Sequence, residues 1–183
     1  MELVKNFKTS RLLRYAFFAL VGSVILAISS KIKIPFYPVP MTMQTLVVII
    51  IGAAFGWKLG LATISLYLFE GIVGLPVFSG TPEKGIGFVY FTGPTMGYLI
   101  GFLVAVYFAG KFNYDKNLLK NFFKLTFATS FIYFLGMAWL GNLIGWEKPI
   151  FKLGAQPFLL AELLKILIAT LAINQITKIK KFI

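Results

Sequence analysis

Cysteine and histidine are both absent from this chain. The first absence excludes disulfides and thiol nucleophiles, the second imidazole bases, and together they remove the usual zinc and copper ligands. Acid is scarce as well, with six Asp and Glu against 18 Lys and Arg. No two carboxylates have a catalytic spacing, and no G-x-x-x-x-G-K-[ST] phosphate loop occurs, so the chain has no equipment of its own for ATP hydrolysis. Charged residues reach only 13%, about half the ~25% of an ordinary soluble domain.

Apolar residues take their place. The 183 residues are 58% hydrophobic, with a mean hydropathy of +0.85, which is the composition of an integral membrane protein. At ~20 residues per spanning helix there is room for about six spans and short loops, forming one transmembrane domain over residues 1–183. The net charge of +12 could suggest nucleic acid. The basic residues, however, cluster beside apolar runs and do not interleave with aromatics on a polar face, which fits orientation in a bilayer better.

The first span is expected over residues 15–30, after a basic tail; an N-terminal signal peptide cleaved near Ala27-Ile28-Ser29 is the weaker reading, because the apolar stretch is span-length and further spans follow. Pro35, Pro38 and Pro40 end that span. Two short apolar runs follow, residues 41–55 and 59–72, each about 20 Å long as helix, joined by Gly56-Trp57-Lys58. They read as two short spans or a re-entrant hairpin. Residues 75–92 form a long connection rich in glycine, proline and aromatics, of the kind that often bears function. A fourth span is expected from Pro94, a good first helical residue, to Ala109. A hydrophilic stretch at 111–124, a fifth span at 125–144, a loop at 145–156 and a sixth span at 157–176 complete the chain.

Counting Lys and Arg on alternate sides gives twelve (Lys5, Lys8, Arg11, Arg14, Lys58, Lys111, Lys116, Lys120, Lys124, Lys178, Lys180, Lys181) against five (Lys31, Lys33, Lys84, Lys148, Lys152). The positive-inside rule then puts both termini in the cytoplasm. The fold expected is therefore an all-α integral membrane protein, a six-transmembrane-helix bundle, N-in and C-in, with a long external loop between helices 3 and 4.

Glu162 and Lys165 interrupt the last apolar segment. An ionisable side chain at mid-bilayer costs at least ~2.5 kcal/mol on insertion scales and tends to face a cavity or a partner. Three residues apart, the two lie about 60° apart around the helix and roughly 4.5 Å apart along it, on one face, about 8 to 12 Å below Pro157 in the outer half. They can present a donor and an acceptor to one small polar solute arriving from outside; a structural ion pair bracing the bundle is the plainer alternative. Glu70 reads equally as an interfacial charge or a ligand contact, and Glu83 and Lys84 as solvated loop residues. The external loop aromatics suit an interfacial belt or a lid over an apolar ligand. Spans two, four and six start outside, and their positive ends favour an anionic solute, though any bundle of this topology shares that geometry.

Two stripes of small residues recur every four positions: Ala19, Ser23 and Ala27 in span one, and Gly93, Gly97 and Gly101 in span four. Such stripes allow close helix approach. Internal packing is the expectation for the glycines; docking of another subunit competes with it for the span-one stripe.

Three motifs, Pro38-Val39-Pro40-Met41-Thr42-Met43-Gln44-Thr45-Leu46, Gly74-Leu75-Pro76-Val77-Phe78 and Gly93-Pro94-Thr95-Met96-Gly97-Tyr98-Leu99-Ile100-Gly101-Phe102, occur in this order. Together they resemble the BioY family, the biotin-binding substrate (S) components of energy-coupling factor (ECF) transporters, and the likeness runs across most of the chain. It implies a six-helix bundle of the cell membrane that is not an enzyme, needs no cofactor, and captures biotin at an external pocket. It nominates Glu162 and Lys165 as ligand contacts, with glutamate where the family has aspartate and Leu160-Ala161 where it has Pro-Gly. Phe78, Tyr90 and Tyr98 would supply apolar walls, and Gln44 of the first motif would be a further substrate-binding residue. The family's glycine-rich loop is altered here to Ser79-Gly80-Thr81-Pro82-Glu83-Lys84. The resemblance also implies that Ala19, Ser23 and Ala27 dock a transmembrane coupling subunit driven by two ATPases, although some members act without a dedicated module, alone or as oligomers. The alternatives are an S component for another vitamin, of the riboflavin or thiamine class, a structural assembly subunit, or a lipid-directed membrane enzyme using Glu162, which the missing residue types disfavour.

Overall fold

The computed structural model describes residues 2–181 apart from 36 and 84; for residues 2–10 and 181 it describes backbone alone. Lys84 and the side chains of Lys5, Lys8 and Lys181, counted above for orientation, lie outside the described residues. The elements are helices α1 (Glu2–Lys31), α2 (Gln44–Ile72), α3 (Met96–Lys111), α4 (Leu118–Ile144), α5 (Ile150–Gly154) and α6 (Leu159–Ile176). A small antiparallel ribbon, β1 (Lys33–Ile34) with β2 (Met41–Thr42), links α1 to α2. Four stretches are long and apolar enough to cross a membrane: Arg11–Lys31, Gln44–Ile72, Leu118–Ile144 and Ile150–Lys180; Met96–Lys111 is a shorter apolar helix.

Helix α2 folds back on itself. At Gly56 the backbone takes φ 75° and ψ 170°, a conformation that glycine adopts without a Cβ penalty. Gln44 Nε2 consequently donates to the Tyr67 phenol at 2.6 Å, although 23 residues of straight helix would separate them by roughly 34 Å. The two short runs read from the sequence are thus the antiparallel arms, 44–55 and 57–72, of one hairpin. Gly52 and Gly60 let the arms touch: a Cβ added at Gly60 would stand 3.6 Å from Gly52 Cα.

Glycine also seats α3. A Cβ at Gly52 would meet Ala109 Cβ at 2.7 Å and the Val106 carbonyl at 2.8 Å, and one at Gly101 would meet Ile132 Cα of α4 at 2.6 Å. The internal-packing expectation for the α3 stripe is therefore met at Gly97 and Gly101, which face α4. The buried residues fall into two clusters, one around Tyr67, Phe78, Tyr90 and Tyr98 at one end of the bundle, the other around Ile49, Leu125, Ile166 and Ile173.

Several boundaries differ from the sequence reading. The basic tail is helical back to Glu2, and α4 starts at 118, not 125. Asn117 explains the early start, since its side chain accepts from the Lys120 amide at 3.0 Å and caps the helix. Helix α3 begins at Met96, two residues after Pro94, and α6 begins at Leu159 after a 3₁₀ turn at Gln156–Phe158.

The span-one stripe lies against the second hairpin arm. Ser23 is fully buried and its hydroxyl lies 2.9 Å from Glu70 Oε1 on the second hairpin arm; Ala19 is buried and Ala27 half-buried. Ser23 therefore faces into the fold of the isolated chain, while Leu20, Val24 and Ile28 are exposed. Glu70 is a structural partner of α1.

The close approach of α3 to the hairpin makes a steric prediction. Gly52→Val overpacks a backbone contact and should cost about 1–3 kcal/mol or more. The expected outcome is a fall of several degrees in the thermal unfolding midpoint of the detergent-solubilised protein, and an unchanged midpoint would contradict this packing.

Candidate functional site

The bundle end that carries the ribbon and the 75–92 connection surrounds a narrow, half-open cavity of ≈ 50 Å³. Three elements begin there: Gln44 and Thr45 enter from the start of α2, Tyr98 and Leu99 from α3, and Phe158 from the turn before α6. Tyr133 and Ile132 of α4 form the far wall, and Lys165 of α6 supplies the cationic group in the lining.

Lys165 is 6% exposed and Glu162 4%. Burying two charges removes several kcal/mol of hydration from each, so the pair is tolerable only if other hydrogen bonds replace that water. The chain provides them. Lys165 Nζ donates to the Thr42 carbonyl at 2.6 Å, to Thr45 Oγ1 at 3.0 Å and to Glu162 Oε2 at 3.3 Å, which engages all three of its donors. Glu162 Oε2 also accepts from Thr45 Oγ1 and from the Tyr133 phenol, both at 2.9 Å. Glu162 Oε1 is buried with no partner.

A second network suspends the long connection. Lys31 Nζ donates to the carbonyls of Phe78 (2.9 Å) and Thr81 (3.2 Å), while Ser30 Oγ and the Tyr67 phenol both donate to the Val77 carbonyl, at 2.7 and 3.0 Å. The Tyr90 phenol donates to the Ser79 carbonyl. Phe78 is thereby held in the cavity wall, stacked on Tyr90 with centroids 4.8 Å apart and edge-on to Tyr67 and Phe91. Burial pushes the Tyr90 phenol above its ordinary pKa. The loop aromatics divide by role, since Phe78, Tyr90 and Phe91 pack inward while Phe88 is exposed.

The two networks meet. Thr42 Oγ1 donates to Gln44 Oε1 at 3.2 Å and Gln44 Nε2 to Tyr67, so hydrogen bonds run from Lys165 through residue 42, Gln44 and Tyr67 to the loop at Val77. Of the six binding residues expected from the sequence, Lys165, Gln44, Phe78, Tyr90 and Tyr98 line one cavity, and Tyr98 is anchored by its phenol on the Gly154 carbonyl at 2.7 Å. Glu162 stands behind that wall, screened by Lys165, Thr45 and Tyr133. The sequence reading missed Thr42, Thr45, Tyr133 and Ser79. A motif-borne threonine two turns from no visible charge gives little signal, and only the fold brings Thr45 to α6.

The model of the BioY family matches residues 3–182. This chain belongs to the BioY family. It is 34% identical over 139 residues to the probable biotin transporter BioY of Pyrococcus horikoshii, covering 76% of this chain and 81% of that one. With the probable biotin transporter BioY of Rickettsia prowazekii it shares 30% over 165 residues, 88% and 82% of the two chains. A crystal structure of the S-component for biotin from an ECF-type ABC transporter superposes with a TM-score of 0.74 over 91% of this chain and 92% of that one; at 21% identity the likeness speaks to the fold. Like its BioY relatives, this is a multi-pass protein of the cell membrane and not an enzyme.

In this BioY chain the ion pair and its hydrogen bonds make a stability prediction. Lys165→Met strands a buried carboxylate and should cost about 3–5 kcal/mol, whereas Glu162→Met/Lys165→Met removes both charges and should recover most of that loss. Thermal unfolding of both variants without ligand checks this; a single variant as stable as the wild type would show that the pair carries no such constraint.

Proposed function

We propose that this protein captures biotin in the cavity at the outer side of the membrane and carries it into the cytoplasm. The observation that carries the reading is the lysine-centred cluster in the wall of an aromatic-lined cavity, in a chain whose BioY relatives are biotin transporters. Biotin offers a ureido ring with donors and an acceptor, an apolar thioether ring and a carboxylate. Phe78, Tyr90 and Tyr98 supply apolar walls for its rings. Lys165 donates to a ligand oxygen, and because all three of its donors are already engaged, the ligand takes the place of one present partner, the Thr42 carbonyl or Thr45. Glu162 acts mainly through Lys165, Thr45 and Tyr133, with Oε1 in reserve for a ligand N–H.

The bundle is read as six spans, N-in and C-in, with each arm of the α2 hairpin crossing the bilayer. Two points support this: the twelve-to-five distribution of basic residues, and the placement of Gly56, Gly110 and Lys180 together, far along α2, α3 and the last helical stretch from the residues that line the cavity. Transport is driven by a partner ECF module, a transmembrane coupling subunit with two ATPases. Docking is read along α1, at the stripe Ala19, Ser23 and Ala27 and the exposed Leu20, Val24 and Ile28 beside it.

Calorimetric titration of biotin into the purified, detergent-solubilised protein tests the substrate, with Lys165→Ala alongside and the double methionine variant in its place if that single variant is not monodisperse. Tight binding by the wild type and a loss of at least tenfold in the variant are expected, with riboflavin and thiamine failing to compete. A folded wild type that ignores biotin would overturn the assignment and favour another vitamin.

A further inference from the structure

Ser79 is 3% exposed and lines the cavity, and its hydroxyl has no hydrogen-bond partner within the chain. Among the described residues only one other buried side-chain oxygen is in that position, Glu162 Oε1, directly behind the wall of the same cavity. Stranding a hydroxyl in an interior is destabilising, and alanine would fill nearly the same volume without that cost. The backbone on either side of the Ser79 side chain is moored. The Phe78 carbonyl accepts from Lys31 at 2.9 Å and from Thr81 Oγ1 at 2.7 Å, and the Ser79 carbonyl accepts from Tyr90. The neighbouring Phe78 ring is fixed by its stack on Tyr90. A buried hydroxyl on a moored segment of the cavity lining, with both its donor and its acceptor capacity unused within the chain, gains a partner when a polar atom of a bound solute reaches it.

We infer that Ser79 is a ligand-contacting, specificity-determining residue, whose hydroxyl completes its hydrogen bonding on a polar atom of the bound solute. The inference rests on the reading of the cavity as a biotin site. The solute rigidifies nothing at this position, since the loop is already held, so the bond contributes to affinity directly. It also selects: a solute of similar shape with an apolar group at that point leaves the hydroxyl stranded and binds less well.

The test is Ser79→Ala, titrated with biotin, 2-iminobiotin and biotin methyl ester, which alter the ureido and carboxylate ends in turn. The variant should bind biotin about three- to tenfold more weakly than the wild type, the range of one neutral hydrogen bond. That deficit should fall away for the analogue that has lost the partner atom. The ligand-free variant should unfold at the wild-type temperature or above it, because a stranded hydroxyl has been removed. Wild-type affinity for biotin, an equal deficit for both analogues, or a lowered unfolding temperature without ligand would each overturn the inference, the last two by showing that the hydroxyl acts through packing. If the folded wild type itself ignores biotin, the failure belongs to the substrate assignment, and the inference goes with it.

Discussion

An ammonium and a carboxylate 3.3 Å apart in the interior of a membrane bundle need replacement for the water they have lost, and nearly every feature of the site follows from how it is supplied. Thr45 lies between the charges, accepting from Lys165 and donating to Glu162. Thr42 is the last residue of the ribbon, just before the chain enters α2, and its carbonyl faces Lys165. Tyr133 reaches in from α4. Three separate elements are thus tied to α6 by the same pair of charges. The cavity wall is where they converge.

The cluster is also the start of a longer chain of hydrogen bonds. Gln44 passes the connection from residue 42 to Tyr67, and Tyr67 shares the Val77 carbonyl with Ser30. The α2 hairpin makes this possible, for only by turning at Gly56 can residues 44 and 67 stand side by side. A small, sterically dictated feature at one end of the bundle therefore sets the register of polar groups at the other.

Much of this was legible in the sequence, and the reasons for the rest are specific. Two opposite charges three residues apart in an apolar run announce themselves, because hydrocarbon makes each one expensive. The short runs around Gly56 read as two short spans or a re-entrant hairpin, since neither alone reached membrane length. The helix start at Leu118 was hidden by lysines that read as loop, although Asn117 is a ready cap. Ser23 and Glu70 illustrate a different limit: a small-residue stripe shows that something approaches closely, but not whether it comes from within the chain or from outside it. Thr45 and Tyr133 could be assigned only once the packing of α2 and α4 against α6 was known.

The polar moorings of the connection at 75–92 fall largely on its carbonyl oxygens, at Val77, Phe78, Ser79 and Thr81. Every residue type has such an oxygen. Side chains of the segment outside the packed Phe78, Tyr90 and Phe91 and the bonded Thr81 can therefore be exchanged by mutation without loosening its moorings, so long as Ser30, Lys31 and Tyr67 persist. Position and chemistry are separately adjustable in this strap, and a lineage could change the solute it prefers in single steps while keeping the cavity in place.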